Sequence, residues 1–136
     1  MKFLDREATI AAPGFNRWLV PPAALAVHLA IGQIYAYSVF NAPLTKLIGI
    51  TESAAGDWKL TTVGWIFSIA LAMLGASAAL FGTWMERVGP RKAMFVAACC
   101  FSLGFFVSAL GVSTHNLFLL YLGNGVIGGI GLGLGY

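Results

Sequence analysis

The sequence predicts an all-α membrane protein with four transmembrane helices, and three observations lead to that fold class. First, 59% of the 136 residues are hydrophobic and 10% are charged, whereas a soluble domain is about 45–50% apolar and about 25% charged. Second, Asp, Glu, Lys and Arg are absent from three windows, 18–45, 60–85 and 93–136. Third, a crossing needs about 20 apolar residues, so the first two windows hold one each. The last holds two, because GVSTHN (111–116) interrupts it.

The chain begins with a polar tail, residues 1–17, and the first crossing follows over about 18–40. The tail has no apolar core ahead of that crossing, so it does not resemble a cleavable signal. The crossing is the most polar of the four, and polar groups in hydrocarbon cost free energy unless they find partners or water. It should therefore be surrounded by helices or line a water-filled cavity. At about 100° per residue, one face carries His28, Gly32 and Tyr35, and roughly the opposite face carries Gln33, Tyr37 and Asn41.

The other three crossings differ in how they are expected to pack. The second, about 62–85, has small residues at Ser68, Gly75 and Ala79, a spacing that lets helices approach closely. The third, about 93–112, carries phenylalanines around much of its surface, which favours a lipid-exposed position. The fourth, about 116–136, has seven glycines between 123 and 135. Because glycine is a poor helix former, that many in one crossing indicate a close-packed or deforming helix.

A charged segment, GTWMERVGPRK (82–92), separates the second and third crossings. The tail and this segment carry six Lys and Arg residues, and the opposite side carries two, Lys46 and Lys59. Cytoplasmic loops carry the excess of Lys and Arg, so the N-terminus and residues 82–92 are expected in the cytosol. The same distribution explains the net charge of +3 better than nucleic-acid binding does.

Nothing in the sequence predicts an enzyme, a cofactor or a metal site. It has no nucleophile–base pair and no paired carboxylates. Cys99 and Cys100 are adjacent and lack metal-ligand spacing. The run GVIGGIG does not fit a phosphate-binding GxGxxG loop, because no soluble strand precedes it and no acid follows.

The charged segment resembles the loop signature of the major facilitator superfamily, G-x-x-x-D-R-x-G-R-[RK]. Here Glu replaces Asp, and Pro90 shifts the basic pair by one position. The resemblance implies a cytosolic gating loop between two rocking bundles of a 12-helix transporter, of which this chain would be the N-terminal third. The residues that match or accompany the signature are Gly82, Glu86, Arg87, Gly89, Arg91 and Lys92.

Residues 16–46 and the glycine-rich GNGVIGGIGLGLGY look like the oxalate/formate antiporter branch of that superfamily. The branch implies alternating-access exchange of small carboxylates in a bacterial inner membrane. It also implies that the cationic partners of the substrate come from the second bundle, which this sequence does not contain. Within this part the cavity candidates are Tyr35, Gln33 and Tyr37, with Tyr35 at the position that matches the branch.

The fourth crossing departs from one superfamily pattern. Many proton-coupled members carry R-x-x-x-G there, and this sequence has Asn124 with Gly128. His28 is then the one candidate for a proton relay, so exchange or facilitated flux fits better than proton symport.

Two other readings remain open. A dimeric four-helix multidrug exporter matches the length but needs a membrane-embedded glutamate, which the first crossing lacks. A non-transporting scaffold or truncated remnant is the other, and we expect the isolated 136-residue chain not to transport by itself.

Overall fold

Helices form all the regular secondary structure within residues 2–47 and 52–136, the residues that the computed structural model of this chain describes. Three of these helices are long and apolar enough to cross a membrane, and a bent pair of shorter helices provides a fourth crossing. This agrees with the predicted all-α architecture. The segment between the first and second crossings lies partly outside the described residues.

The first crossing is broken. After short 3-10 turns at Lys2–Leu4, Arg6–Thr9 and Arg17–Leu19, helix α1 covers Val20–Ile31, a 3-10 turn covers Gly32–Ile34, and helix α2 covers Ser38–Leu44. The two parts meet at an angle of 40°. The expected single helix over about 18–40 is therefore corrected to two helices that end four residues later. At the break, the amides of Tyr35, Ala36 and Tyr37 bond three residues back instead of four.

The charged segment is almost entirely helical, which corrects the expected loop at 82–92. Helix α3 runs over Leu60–Val88 and α4 over Pro90–Ser113, so Gly89 alone separates them. Gly89 has φ 87° and ψ 162°, a conformation that is essentially restricted to glycine. Pro90 takes the first position of α4, where its missing N–H costs nothing.

The fourth crossing combines three helical forms without a break. It begins with α5 (Leu117–Leu120), continues as a π-helix over Tyr121–Ile127 and ends as α6 (Gly128–Gly135). The side chain of Asn116 caps its start by accepting from the amide of Phe118 at 3.0 Å. The prediction of a deforming helix is confirmed by the π-helical stretch.

This crossing packs between α3 and α4 and makes most of the contacts between the long helices. Its glycines let backbones touch: a Cβ placed on Gly123 lies 2.8 Å from the Gly104 carbonyl, and one on Gly131 lies 2.7 Å from the Phe101 amide nitrogen. The predicted close packing is thus confirmed. The other core side chains form two adjacent clusters, with Tyr37, Val63, Ile66 and Leu120 in one and Ile34, Ala70 and Leu132 in the other.

Several faces remain open within the described residues. Phe95 and Phe106 on α4 are 54% and 70% exposed, as expected of a lipid-facing helix. The small-residue stripe on α3 has no neighbour there, since a Cβ on Gly75 or Gly82 meets nothing within 4 Å. Helix α1 has no buried residue.

Contacts between the connecting segments define the two ends of the bundle. At one end the tail contacts the start of α4 through Asp5 and Lys92. At the other, the rings of Trp58 and His115 stack at 4.0 Å, which joins the segment before α3 to the α4–α5 turn. The tail and the Gly89 turn therefore share one end, in agreement with the topology inferred from charge.

Candidate functional site

Two stretches that depart from α-helical geometry face each other inside the bundle. One is the break at 32–37 in the first crossing, and the other is the π-helix Tyr121–Ile127. Asn124 on the π-helix donates from Nδ2 to the Tyr37 hydroxyl at 3.4 Å, which joins the two stretches. Short π segments occur frequently at functional sites, and broken helices carry the binding sites of many transporters.

A cleft of about 210 Å³ opens beside this contact, between the first crossing, α4 and the π-helix. Its polar lining consists of Gln33, Tyr37, Ser108 and Asn124, and its aromatic lining includes Phe40 and Phe105. These polar groups are neutral amides and hydroxyls, all of which can donate hydrogen bonds. The cleft therefore carries hydrogen-bond donors but no charged side chain. Such donors suit an anionic or polar solute.

Ser108 is the most unusual of these groups. Its side chain is 6% exposed, and its Oγ has no hydrogen-bond partner among the described residues. A buried hydroxyl without a partner costs about 1–3 kcal/mol. The wall of the cleft thus contains a hydroxyl whose hydrogen-bonding capacity is unused in the part of the chain that the structure describes.

A second cavity of about 160 Å³ lies on the other side of the first crossing and is lined by Tyr35, Tyr37, Ser38 and Asn41, among others. Asn41 Oδ1 is buried there without a partner within the described part of the chain. Tyr37 is 5% exposed and lines both cavities. It is therefore the wall that separates them.

The structure brings together two of the three cavity candidates. Gln33 and Tyr37 line the same cleft, whereas Asn41, expected on their face of the helix, lines the second cavity. Tyr35 does not line this cleft but borders the second cavity. It is 60% exposed, and its hydroxyl is 2.7 Å from that of Tyr136. The ring of Tyr136 also meets His28 edge-on at 5.6 Å between centroids.

Sequence reasoning missed Ser108 and the pairing of Asn124 with Tyr37. Each is a polar residue inside an otherwise apolar crossing, and that was the available signal. Asn124 drew notice only as the place where an arginine stands in other sequences. Its partner could not be found without knowing which face the π-helix turns toward Tyr37.

At the tail end, the charges of the Gly89 turn fall into two pairs. Arg91 Nη1 donates to the Phe3 carbonyl at 3.2 Å, and Lys92 Nζ is 2.9 Å from Asp5 Oδ1. The hydrogen bond and charge of Lys92 lower the pKa of the Asp5 carboxyl below its ordinary value of 3.8. Glu86 and Arg87 are exposed and make no hydrogen bond or ion pair with any side chain in residues 2–47 and 52–136.

The described residues contain no group of three His, Cys, Asp or Glu side chains that could hold a metal ion.

Comparisons with known proteins point to membrane transport. The chain is 30% identical over 121 residues to the uncharacterized MFS-type transporter YhjX of Escherichia coli, covering 89% of this chain and 27% of that protein. It is 27% identical over 124 residues to the riboflavin transporter MCH5 of Saccharomyces cerevisiae, covering 84% of the chain and 22% of MCH5. A Bacillus subtilis protein, NiaP, named provisionally as a niacin/nicotinamide transporter, is 32% identical over 81 residues, 58% of the chain and 19% of NiaP.

No family model and no solved structure matches the chain. The chain spans about a quarter of the length of the curated relatives it matches, 27% and 22% for the first two. These relatives are transporters, in keeping with the expectation of a protein without enzymatic activity. The membrane-spanning helices together with these relatives support a multi-pass membrane protein that is similar to MFS-type transporters over part of their length.

Proposed function

We propose that this chain forms the first part of the N-terminal bundle of a secondary transporter that exchanges small organic anions by alternating access. The observation that carries the proposal is the cleft between the broken first crossing and the π-helix, with the unpartnered Ser108 hydroxyl in its wall. We further propose a bacterial inner membrane with the N-terminus in the cytosol. That orientation follows from the Lys and Arg excess in the tail and the Gly89 turn.

The physical basis is the cost of irregular backbone and unpaired polar groups inside a membrane. Non-helical backbone at membrane depth is tolerated where it is buried in protein or lines a water-filled cavity. The break at 32–37 meets this condition, because Ile34 and Tyr37 are buried while Gln33 faces the cleft. The adjacent π-helix meets it as well. A solute that fills the cleft can satisfy the groups that the helices leave unpaired.

The size and lining of the cleft favour a small carboxylate, of the oxalate or formate class, as substrate. Its volume of about 210 Å³ is below the roughly 300–1,000 Å³ of pockets that hold drug-sized ligands. The amides of Gln33 and Asn124 and the hydroxyl of Ser108 offer the donors that carboxylate oxygens accept. In this proposal a second bundle supplies the compensating positive charge, as in the branch that residues 16–46 resemble.

The aromatic wall of the same cleft favours a second candidate, a flat heterocyclic solute. Tyr37, Phe40 and Phe105 line it, and offset or edge-on ring contacts are worth about 0.5–1.5 kcal/mol beyond the buried area. Two of the relatives are named for riboflavin and for niacin or nicotinamide. The two candidates differ in what they require: the first needs the hydroxyl and amide donors, and the second needs the rings.

Exchange in proteoliposomes separates these candidates. The protein is reconstituted in the form in which its host produces it. The proteoliposomes are loaded with unlabelled oxalate, formate, niacin or riboflavin, and uptake of the same solute in labelled form is measured. We expect exchange of oxalate or formate. Ser108→Ala should lower the exchange rate about tenfold if the hydrogen bond from Ser108 to the solute contributes about 1.4 kcal/mol, and Ser68→Ala should leave the rate unchanged. Ser68 is the matched control, because it is an exposed serine on α3.

The outcomes divide clearly. The heterocyclic solute is supported if niacin or riboflavin is exchanged, if Phe105→Ala abolishes that exchange, and if Ser108→Ala has little effect on it. The assignment of the cleft is contradicted if exchange stays the same in all three variants, Ser108→Ala, Gln33→Ala and Phe105→Ala. Vesicles that hold only the 136-residue chain are expected to give no uptake, and uptake by them refutes the need for a second bundle.

The Gly89 turn is proposed as one half of a gate. Glu86 and Arg87 are exposed and lack bonds within the described chain, and a Cβ on Gly82 meets nothing within 4 Å. In the proposed transporter these groups contact the second bundle in one state, with Glu86 near a helix N-terminus, an interaction worth roughly 0.3–1 kcal/mol. We expect Glu86→Gln to slow exchange without changing the apparent affinity. A change of affinity alone contradicts a gating role.

A further inference from the structure

The N-terminal tail is docked on the Gly89 turn by several different contacts. Asp5 pairs with Lys92 at 2.9 Å, and the Phe3 carbonyl accepts from Arg91 at 3.2 Å. The Arg91 guanidinium carbon also lies 4.7 Å from the centre of the Phe3 ring. An ion pair, a charged hydrogen bond and a cation–π contact thus join one short segment of the chain to one helix start.

The shape of the turn matches the tail. Gly89 is buried, and a Cβ built on it lies 3.0 Å from Arg6 Cβ and 3.1 Å from Arg6 Cα. The turn therefore lacks a side chain at the place where the tail backbone crosses it. Glycine is already required at position 89 by its φ of 87°, so the same residue serves the turn and the docking of the tail.

We propose that residues 2–9 act as a strap that docks on the surface formed by Gly89, Arg91 and Lys92, and that this surface is a binding site for the tail. The strap uses two of the four charged groups of the turn, Arg91 and Lys92. It leaves Glu86 and Arg87 free for a partner outside the described chain. This assignment is independent of which solute the protein carries, and it gives Arg91 and Lys92 a task other than the gate.

The strap is a releasable contact because its parts are individually weak. Asp5 and Lys92 remain 50% and 41% exposed, and exposed ion pairs contribute little by themselves. Salt screens such pairs, since the Debye length falls from about 8 Å at physiological ionic strength to about 3 Å at 1 M. The cation–π contact is less dependent on salt than the ion pair, so high salt should loosen the strap in part.

Distances between spin labels test the proposal in the membrane-embedded protein. One label is placed at Ile10, which is 79% exposed and directly follows the strap, and the other at Thr83, which is exposed on α3 before the turn. Cys99 and Cys100 are first replaced by serine. We expect one narrow distance distribution in the unsubstituted strap, and a broad one in Asp5→Asn and in Lys92→Gln.

Matched controls change the same charges where no contact exists. Glu7→Gln removes an acid two residues from Asp5, and Arg87→Gln removes a base from the same turn; neither side chain forms an ion pair within the described residues. Both controls should keep the narrow distribution. The exchanged pair Asp5→Lys with Lys92→Asp should restore what each single reversal loses.

Three results overturn the strap. A broad distribution in the unsubstituted protein shows that the tail is not docked. Equal broadening by Glu7→Gln and Asp5→Asn shows a general attraction between the acidic side chains of the tail and the basic turn instead of a site. Failure of the exchanged pair to recover any of the narrow population shows that the Asp5–Lys92 contact does not hold the tail.

Discussion

Replacing Gly131 by alanine tests the close packing that organises the fourth crossing. A Cβ at this position lies 2.7 Å from the amide nitrogen of Phe101 and 3.0 Å from its Cα. Both are backbone atoms of α4, so no side-chain rotation relieves the clash. Reaching an ordinary contact of about 3.4 Å requires the helices to separate by about 0.7 Å (3.4 − 2.7). A gap of that size removes about a quarter to a half of the dispersion energy of each neighbouring atomic contact.

The expected cost follows from two opposing terms. Forced overpacking of this kind costs about 1–3 kcal/mol, while replacing glycine by alanine in a helix gains up to about 1 kcal/mol. Gly135 provides the matched control, because it lies one turn further along α6 and its Cβ meets Ala97 Cβ at an ordinary 3.6 Å. Gly75→Ala, in an open position of α3, controls for the helical gain.

The assay is reversible unfolding of the purified protein by sodium dodecyl sulfate in mixed micelles, followed by circular dichroism. We expect Gly131→Ala to unfold at lower detergent fraction, with a free energy of unfolding about 1–3 kcal/mol below that of Gly135→Ala. Gly75→Ala should be neutral or slightly stabilised. Equal unfolding free energies for Gly131→Ala and Gly135→Ala refute the close contact between α4 and α6.

Three further predictions address the turn, the core and the tail. Gly89→Ala should lower the free energy of unfolding by about 1–3 kcal/mol, because a side chain is strained at φ 87°. Gly82→Ala should not lower it, and equal effects of the two variants in the same detergent titration contradict this reasoning. Tyr121→Phe should cost about 0.5–1.5 kcal/mol, because it removes the 2.6 Å bond from the Tyr121 hydroxyl to the Thr62 carbonyl, and a neutral result denies that bond a role. The strap should respond to acid as a carboxylate with a lowered pKa does: its contribution is present above the ordinary value of 3.8 and lost as pH falls through the lower folded value. The label distances should therefore stay narrow down to pH 3.8, and broadening near neutral pH points to a group other than Asp5.

The span positions and the glycine packing were predictable because each follows from a strong local constraint. A window without charges must avoid water, and a crossing rich in glycine is favoured where another backbone comes close. The structure bears this out at Gly123 and Gly131, which face backbone atoms of α4. The helical repeat puts Gln33, Tyr37 and Asn41 on one face, but Asn41 lines the second cavity while Gln33 and Tyr37 line the cleft. The 3-10 turns at the break interrupt the repeat.

The break in the first crossing and the π-helix were not predictable in detail, because tertiary packing decides them. Gly32 permits a break but does not require one, and the burial of Ile34 and Tyr37 in the two core clusters favours it. At residues 82–92 the Gly-Pro pair was interpreted as a loop. Gly89 instead lies just after the end of α3, and Pro90 is the first residue of α4. Glycine past a helix end and proline at a helix start are both favoured positions.

The two walls of the cleft should differ in rigidity, and this difference bears on how a solute enters. On one side, Gly123 touches Ser108 so closely that an added Cβ would lie 2.6 Å from its Oγ, and the π-helix is held between α3 and α4. On the other side, α1 and α2 have no buried residue, and Ile34 and Tyr37 at the break are the only buried residues in the described first crossing. Segments with few buried contacts open most easily, so the first crossing should be the moving wall.

Hydrogen exchange measured by mass spectrometry tests this difference in lipid nanodiscs. Peptides that cover 32–37 should exchange faster than peptides that cover Tyr121–Ile127, although both stretches border the same cleft. A solute that binds the cleft should slow exchange in the first stretch more than in the second, because it bridges the loosely held wall to the fixed one. Equal protection in the absence of solute means that the first crossing is fixed by contacts outside the described chain, and the motion must then be sought at the Gly89 turn.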